Sequence, residues 1–236
     1  MNPLQTYIGF DHRQFVSYAV LASSIIGAAS KPVSITPLCL PTLPIERTGL
    51  TPFTFTRFLV PSLQDSGWAL FLDSDMLCIG DVAELFALAD DKYAAMVVKN
   101  PRRFEWASLI MFNCGHPANK ALTPEYVADE ASPLFKFGWL KEDELGALPS
   151  EWNHLVGYDA PRTDAKLVHY TMGIPIFEET SMSEYADEWN QVHQAVNSSI
   201  PWASLMAQSV HATHMPDGRA LPHFHPDVMA MQKMSA

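Results

Sequence analysis

An apolar run, Trp68-Ala69-Leu70-Phe71-Leu72, leads directly into Asp73-Ser74-Asp75. In an extended chain alternate side chains point the same way, so Asp73 and Asp75 aim at one point with Ser74 between them. Two carboxylates held together repel unless positive charge lies between them. Hard oxygen ligands of this kind suit Mg²⁺, Mn²⁺ or Ca²⁺. In open α/β sheets the carboxyl ends of strands are also where ligands bind. A capped turn after a strand uses the same residue types, so other groups must decide.

Three further segments bear on that choice. Upstream, Thr54-Phe55-Thr56-Arg57-Phe58-Leu59-Val60-Pro61 places one arginine on an otherwise apolar helix. Such an arginine needs a partner, and either a phosphate or an aspartate of the fold serves. Downstream, Phe112-Asn113-Cys114-Gly115 ends an apolar run. The Asn113 amide is suited to sugar hydroxyls, and Gly115 to a close backbone approach or simply to a turn. Later, Lys166-Leu167-Val168-His169-Tyr170-Thr171-Met172-Gly173 runs from a strand into a histidine and a Gly/Pro loop. A histidine joining two aspartates completes a metal site, and imidazole favours Mn²⁺ over Mg²⁺ or Ca²⁺.

The elements that must position these groups are legible as an α/β alternation. Leu4 to Phe10 reads as a strand, and Gln14 to Ala29 as a helix with Phe15, Val16, Ala19, Val20, Ser23 and Ile26 at helical spacing. Val33 to Leu40 reads as a second strand, which makes a β-α-β opening. Thr54 to Gln64 reads as a helix bent or ended at Pro61. Trp68 to Leu72 is apolar throughout, as a strand buried on both faces requires. Asp81 to Leu88 reads as a helix with Asp81 as its N-cap. Tyr93 to Val98 and Ser108 to Phe112 read as buried strands, and the stretch 117–141 as mostly helical and irregular. Ala165 to Tyr170 is a late strand and Ser183 to Asn197 a late helix. No repeat or linker divides the chain, so 1–236 is expected to be one domain, with 200–236 as an irregular tail holding His211, His214, His223 and His225.

With 236 residues and 48% hydrophobic residues the chain can bury one large core. Its net charge of −11 argues against a nucleic-acid partner, because phosphate backbones need stripes of lysine and arginine. An anionic ligand is accommodated only where cations converge, and Arg13, Arg57, Lys99, Arg102 and Arg103 are the pool near the motifs. Cys39, Cys78 and Cys114 form no CxxC pair and sit in apolar runs. Buried free thiols fit a reducing compartment, so a cytoplasmic location is expected. The start, Met1-Asn2-Pro3-Leu4, has no basic region or cleavage pattern, and the longest apolar stretch, Tyr18 to Ala29, is too short to span a bilayer.

In order, Gly9-Phe10-Asp11, Arg57-Phe58, Asp73-Ser74-Asp75 with Gly80-Asp81, Phe112-Asn113-Cys114-Gly115 and His169-Tyr170-Thr171-Met172-Gly173 resemble the pattern of glycosyltransferase family 8, enzymes of the GT-A fold. Leu148-Pro149-Ser150-Glu151-Trp152-Asn153 is similar to a segment preceding the final histidine strand in that family. The resemblance covers Leu4 to Phe177. It implies a mixed, mainly parallel sheet flanked by helices, and a hexose moved from a UDP-sugar to a carbohydrate or glycan acceptor with retention of configuration. Asp73, Asp75 and His169 are implied to bind Mn²⁺ (or Mg²⁺). Ser74 and Gly173 are implied to lie at the donor, and Asp11 with Tyr7 and Gly9 near the uracil. Arg57 is implied to contact the donor phosphates or sugar, and Asn113 the sugar or acceptor. One of Glu142, Asp143 and Glu144 is implied to lie near the reacting carbon, with Asp143 as the candidate.

One departure stands out. The family commonly has a lysine in the loop after the histidine, whereas this chain reads Gly173-Ile174-Pro175-Ile176-Phe177. Another cation (Lys99, Arg102 or Arg103) substitutes, or donor affinity or activity is reduced. Two other readings follow from the same residues. A haloacid-dehalogenase-type phosphatase also has an apolar strand into DxD, but there the motif opens the domain. A degenerate GT-A domain would bind a partner or nucleotide without transferring sugar.

Overall fold

The computed structural model describes residues 2–197. The expected tail 200–236, with its four histidines, lies outside these residues. Strand β1 (Leu4–Phe10) is followed by helix α1 (Phe15–Ala28) and strand β2 (Val33–Cys39). β1 and β2 are parallel, with Leu4 opposite Val33, which completes the β-α-β unit. Pro37 is tolerated in β2 because this strand is at the sheet edge, where a missing N–H costs nothing.

Helix α1 buries Ser17, Val20, Leu21, Ser24 and Ile25, not the face that begins at Phe15. Phe15 and Ile26 are 59% and 65% exposed. The helix is apolar nearly all round, so spacing alone does not choose a face. Ser24 chooses it: its hydroxyl donates to Leu21 O (2.9 Å) and accepts from the N–H of Cys78 (3.1 Å). A buried hydroxyl is tolerated when both its roles are filled.

The Arg57 segment is a 3-10 turn (Thr56–Leu59) continued by a short helix α2 (Val60–Leu63). Pro61 sits in the first turn of α2, where its missing N–H is harmless. Strand β3 (Trp68–Leu72) and a short β4 (Met76–Cys78) flank Asp73-Ser74-Asp75. Helix α3 (Val82–Phe86) starts at Asp81, whose side chain accepts from the N–H of Ala83 (2.9 Å). β5 (Ala95–Val98), a 3-10 turn Arg103–Ser108 and β6 (Leu109–Asn113) follow. Region 117–141 holds 3-10 turns and one short helix, α4 (Pro124–Ala128). β7 (Leu145–Leu148), β8 (His154–Leu155), β9 (Leu167–His169) and α5 (Ala186–Asn197) complete the described chain.

The main sheet has the order β2-β1-β3-β6-β5-β7. β1 is parallel to β2 and β3, and β5 to β7; β6 runs antiparallel to both of its neighbours. The sheet is therefore mixed and mainly parallel. A small second sheet, β4-β9-β8, pairs Met76 with His169. Successive residues of β3 serve two cores. Ala69 and Phe71 pack with Tyr7, Phe58 and Phe112 on one face, and Leu70 and Leu72 with Ile8, Leu21 and Met111 on the other. Both faces of β3 are covered, which is why its sequence reads as apolar throughout.

Candidate functional site

The end of β3 is held by a backbone bond from the N–H of Asp73 to Ser108 O (2.9 Å). Three residues later the chain re-enters a sheet as β4, and the N–H of Tyr170 donates to Asp75 O (2.9 Å). The antiparallel β4–β9 pairing thus brings His169 beside Asp75. Asp73, Asp75 and His169 each offer one ligand atom, all within 4.8 Å of one another.

Arg57 is buried, and its guanidinium clasps Asp73: Nη2 lies 2.9 Å from Oδ1 and Nη1 donates to Oδ2 at 3.3 Å. Nη1 also donates to Ala107 O (2.6 Å), and the guanidinium carbon lies 5.1 Å from the centre of the Phe71 ring. Of the two partners that the sequence left open for Arg57, the aspartate is in contact with it.

The imidazole of His169 is oriented by Asn153. The Asn153 amide donates from Nδ2 to Glu105 O (3.3 Å) and Ser108 Oγ (2.9 Å), which turns its Oδ1 toward His169 Nδ1 (3.2 Å). Nδ1 therefore carries the proton in the neutral ring, and the other nitrogen, Nε2, faces Asp75 Oδ1 at 3.4 Å. A ring nitrogen held by an outer partner so that the other is free is the arrangement of metal-ligating histidines. The carboxylate of Glu105 stands 4.0 Å behind, at Nδ1.

Burial pushes Asp73 up to about 7; the like charges of Asp75 and Glu105 add to it, against the pull of Arg57 and His169. Burial acts on Asp75 in the same sense, but the charge and hydrogen bond of His169 outweigh it and leave Asp75 below its ordinary value. His169 is raised: burial opposes its charge, and the attraction of Asp75 and Asp73 wins. Asp73 Oδ1 and Asp75 Oδ1 are buried, and their charged partners are Arg57 Nη2 at 2.9 Å and His169 Nε2 at 3.4 Å. Two acids and an imidazole whose ligand atoms lie this close together fit a divalent cation of the Mn²⁺ or Mg²⁺ type.

Asp75 opens onto a cavity of about 510 Å³ whose other walls include Arg13, Ser17, Thr171, Gly173 and Phe177. Gly173 has a φ of +119°, a conformation that suits glycine and turns the loop over the cavity. Asp11 is buried and holds Arg13 by a fork, Nε at 3.0 and 3.1 Å and Nη2 at 2.6 Å. That hydrogen bonding keeps the Asp11 carboxyl below its ordinary value despite burial. The cation beside the Gly173 loop is thus Arg13. Lys99 and Arg103 line a different cavity, and Arg102 lies over the Tyr158 ring at 3.6 Å.

Other expected site residues are placed as follows. Ser74 is fully buried. Gly9 lies against Phe53, whose ring a side chain at this position would strike. Tyr7 is a core residue with its hydroxyl 3.4 Å from Gln64 Oε1. Asn113 pairs with Trp68, at the opposite end of β3 from Asp73, and its amide donates to Tyr93 O (3.3 Å). Asp143 is exposed in the turn before β7. Asn113 lies apart from the triad because β6 runs antiparallel to β3, which reverses which end of its run meets the site. Glu105, Ser108 and Asn153 take part instead. Asn153 closes the segment already noted before the histidine strand; Glu105 had no signal beyond its place beside Trp106.

Residues 21–127 match the family described as glycosyl transferase family 8. The chain is 38% identical to "Protein CDI" of Arabidopsis thaliana over 223 residues, 80% of this chain and 85% of that protein. Its fold is similar to that of the glycosyltransferase GlyE of Streptococcus pneumoniae TIGR4 (TM-score 0.63, 14% identity, 80% of this chain), of whose length it spans 60%. It is also similar to the galactosyltransferase LgtC, solved with donor and acceptor sugar analogues (TM-score 0.58, 12% identity, 83% of this chain and 97% of that one). The chain belongs to glycosyl transferase family 8 and is a glycosyltransferase by family.

Proposed function

We propose that the protein transfers a hexose from a UDP-sugar to a carbohydrate acceptor, with Mn²⁺ (or Mg²⁺) held by Asp73, Asp75 and His169 and with retention of anomeric configuration. The observation that carries this reading is the convergence of those three side chains, with Asp75 on the wall of the Arg13–Gly173 cavity. The bond from the anomeric carbon to the diphosphate oxygen breaks, and the acceptor hydroxyl oxygen forms the new bond and gives up its proton. When bound, the metal supplies Lewis-acid stabilisation of the charge that grows on the leaving diphosphate. Arg57 favours the ionised form of Asp73 and holds it in place. Asn153 keeps Nε2 of His169 facing inward. Arg13, braced by Asp11, supplies positive charge where the family's loop lysine is missing. A galactosyltransferase of the same fold takes donor and acceptor sugar analogues, which suits a donor in this cavity. The test is incubation with UDP-hexoses and Mn²⁺. Release of UDP that stops on chelation supports transfer chemistry; release of phosphate from simple phosphate esters instead would favour the phosphatase reading.

Two predictions arise from this site. Arg13→Ala weakens UDP binding in Mn²⁺ by about tenfold, the scale of one charge-assisted hydrogen bond, and leaves uridine binding unchanged. Calorimetry with both ligands checks it; equal loss for both would assign Arg13 to the nucleoside rather than the diphosphate. The second prediction concerns pH. Asp73 titrates at about 7 without metal, so below that pH a proton competes with the cation. His169, raised by its acidic neighbours, adds a second competing proton. The Mn²⁺ dissociation constant therefore rises as pH falls below 7, by about tenfold or more per pH unit. An affinity flat between pH 7.5 and 5.5 would contradict this coupling.

A further inference from the structure

A second cavity, of about 330 Å³, is lined by Lys99, Arg103, Lys136 and Lys141 together with Trp106 and Glu142. It shares no lining residue with the Asp75 cavity. The chain has only 15 lysines and arginines and a net charge of −11. Four of those cations meeting in one concavity against one lining carboxylate is a concentration of charge that the rest of the chain does not suggest. Nor are the four used up in ion pairs. Lys99 donates to Leu145 O (2.7 Å) and Arg103 to Lys136 O (3.0 Å), both neutral carbonyls. Arg103 also lies 4.8 Å over the Trp106 ring, which holds its plane while leaving donors free. Lys141 has only a distant carboxylate, Glu144, at 3.9 Å. Lysine and arginine donors that converge without acidic partners are built for an oxyanion.

The position ties this cavity to the reaction. Arg103 and Trp106 belong to the Arg103–Ser108 turn. From the same turn, Ala107 O accepts from Arg57, Ser108 O accepts from the N–H of Asp73, and the Glu105 carboxylate stands 4.0 Å from His169. One short turn therefore braces the metal triad and walls the basic cavity. We propose that this cavity takes the oxyanion of a negatively charged acceptor, so that the acceptor of this glycosyltransferase is an anionic sugar rather than a neutral one. The inference rests on the transfer reading for the word acceptor; the anion site itself does not.

The experiment uses glucose 6-phosphate as the anionic probe and glucose as its neutral counterpart, by calorimetry on the whole protein. Glucose 6-phosphate is expected to bind at least about tenfold more tightly than glucose, and the preference to disappear in Arg103→Gln/Lys136→Gln, with the UDP affinity in Mn²⁺ unchanged. The single variant Lys136→Gln, at an exposed position, loses part of the preference and guards against a folding defect in the double variant. In the presence of the hydrolysed UDP-hexose, the sugar phosphate also raises UDP release above the rate with water alone, and glucose does not. Equal binding of the two probes, or a preference that survives both variants, would overturn the anion site. Binding at the cavity without any stimulation of UDP release would overturn its role as an acceptor site. Failure of UDP itself to bind the wild type would count against the donor reading, and is read separately.

Discussion

Arg57→Ala lowers the melting temperature of the metal-free protein by about 10 °C at pH 8, because removing one partner of a buried ion pair leaves the other charge without compensation, at about 3–5 kcal/mol. The guanidinium is enclosed by Phe71, Ala107 and Asp73. The loss has a pH signature. With Arg57 present, burial already raises Asp73 to about 7. Without it the carboxyl is raised further, and a neutral acid at low pH no longer needs a partner. Because the folded form then binds the proton more tightly than the unfolded one, the variant recovers stability as pH falls from 8 to 5.5. Arg57→Lys recovers less than full stability, since an ammonium cannot span Asp73 and Ala107 O as the fork does. Thermal melting across pH checks all three statements; a deficit that does not shrink in acid would mean that Arg57 acts mainly through packing.

Asp75→Ala produces the larger loss of activity. Metal-dependent UDP release from UDP-hexose falls by about a thousandfold, the scale on which a charge-stabilising group for a leaving group matters. Its stability behaves oppositely to that of Arg57→Ala. Asp75 adds repulsion to the buried Asp73, so its removal takes away one destabilising charge while His169 loses one attractive partner. These effects offset, and the melting temperature stays within about 3 °C of wild type. A variant that folds as well and yet neither releases UDP nor responds to Mn²⁺ separates using the site from holding it together. A variant that kept a substantial fraction of the rate would remove Asp75 from the metal.

The contrast between these two aspartates was partly legible beforehand. The apolar run into Asp73-Ser74-Asp75 states its own geometry, because burial on both faces and alternation of side chains are local properties of a strand. His169 was legible as the end of another strand; its meeting with Asp75 depends on the β4–β9 pairing, and β4 is only Met76–Cys78, too short to announce itself. Strands β7 and β8 are short in the same way, and β7 carries Gly146 and Ala147 where a strand signal would need branched residues. Asn113 shows a different limit. An apolar run does not disclose its direction in the sheet, and the antiparallel β6 carries Asn113 to the end remote from Asp73. Asn153 and Glu105 act through contacts between segments distant in the chain. The buried face of α1 was hidden because its sequence is apolar around most of its circumference, and one hydrogen bond from Cys78 to Ser24 settles it. The loop without a lysine could be read directly; that Arg13 faces the same cavity could not, because it arrives from the turn after β1.

No described helix is long and apolar enough to cross a membrane. In the proposed function, Asp73, Asp75 and His169 together make a divalent-metal site that recruits a nucleoside diphosphate. The most direct measurement is a calorimetric titration of UDP into the wild-type protein at pH 7.5, once with Mn²⁺ and once with a chelator. Binding with Mn²⁺ that vanishes in the chelator is the expected result. UDP binding of equal strength in both, or none in either, would contradict the claim.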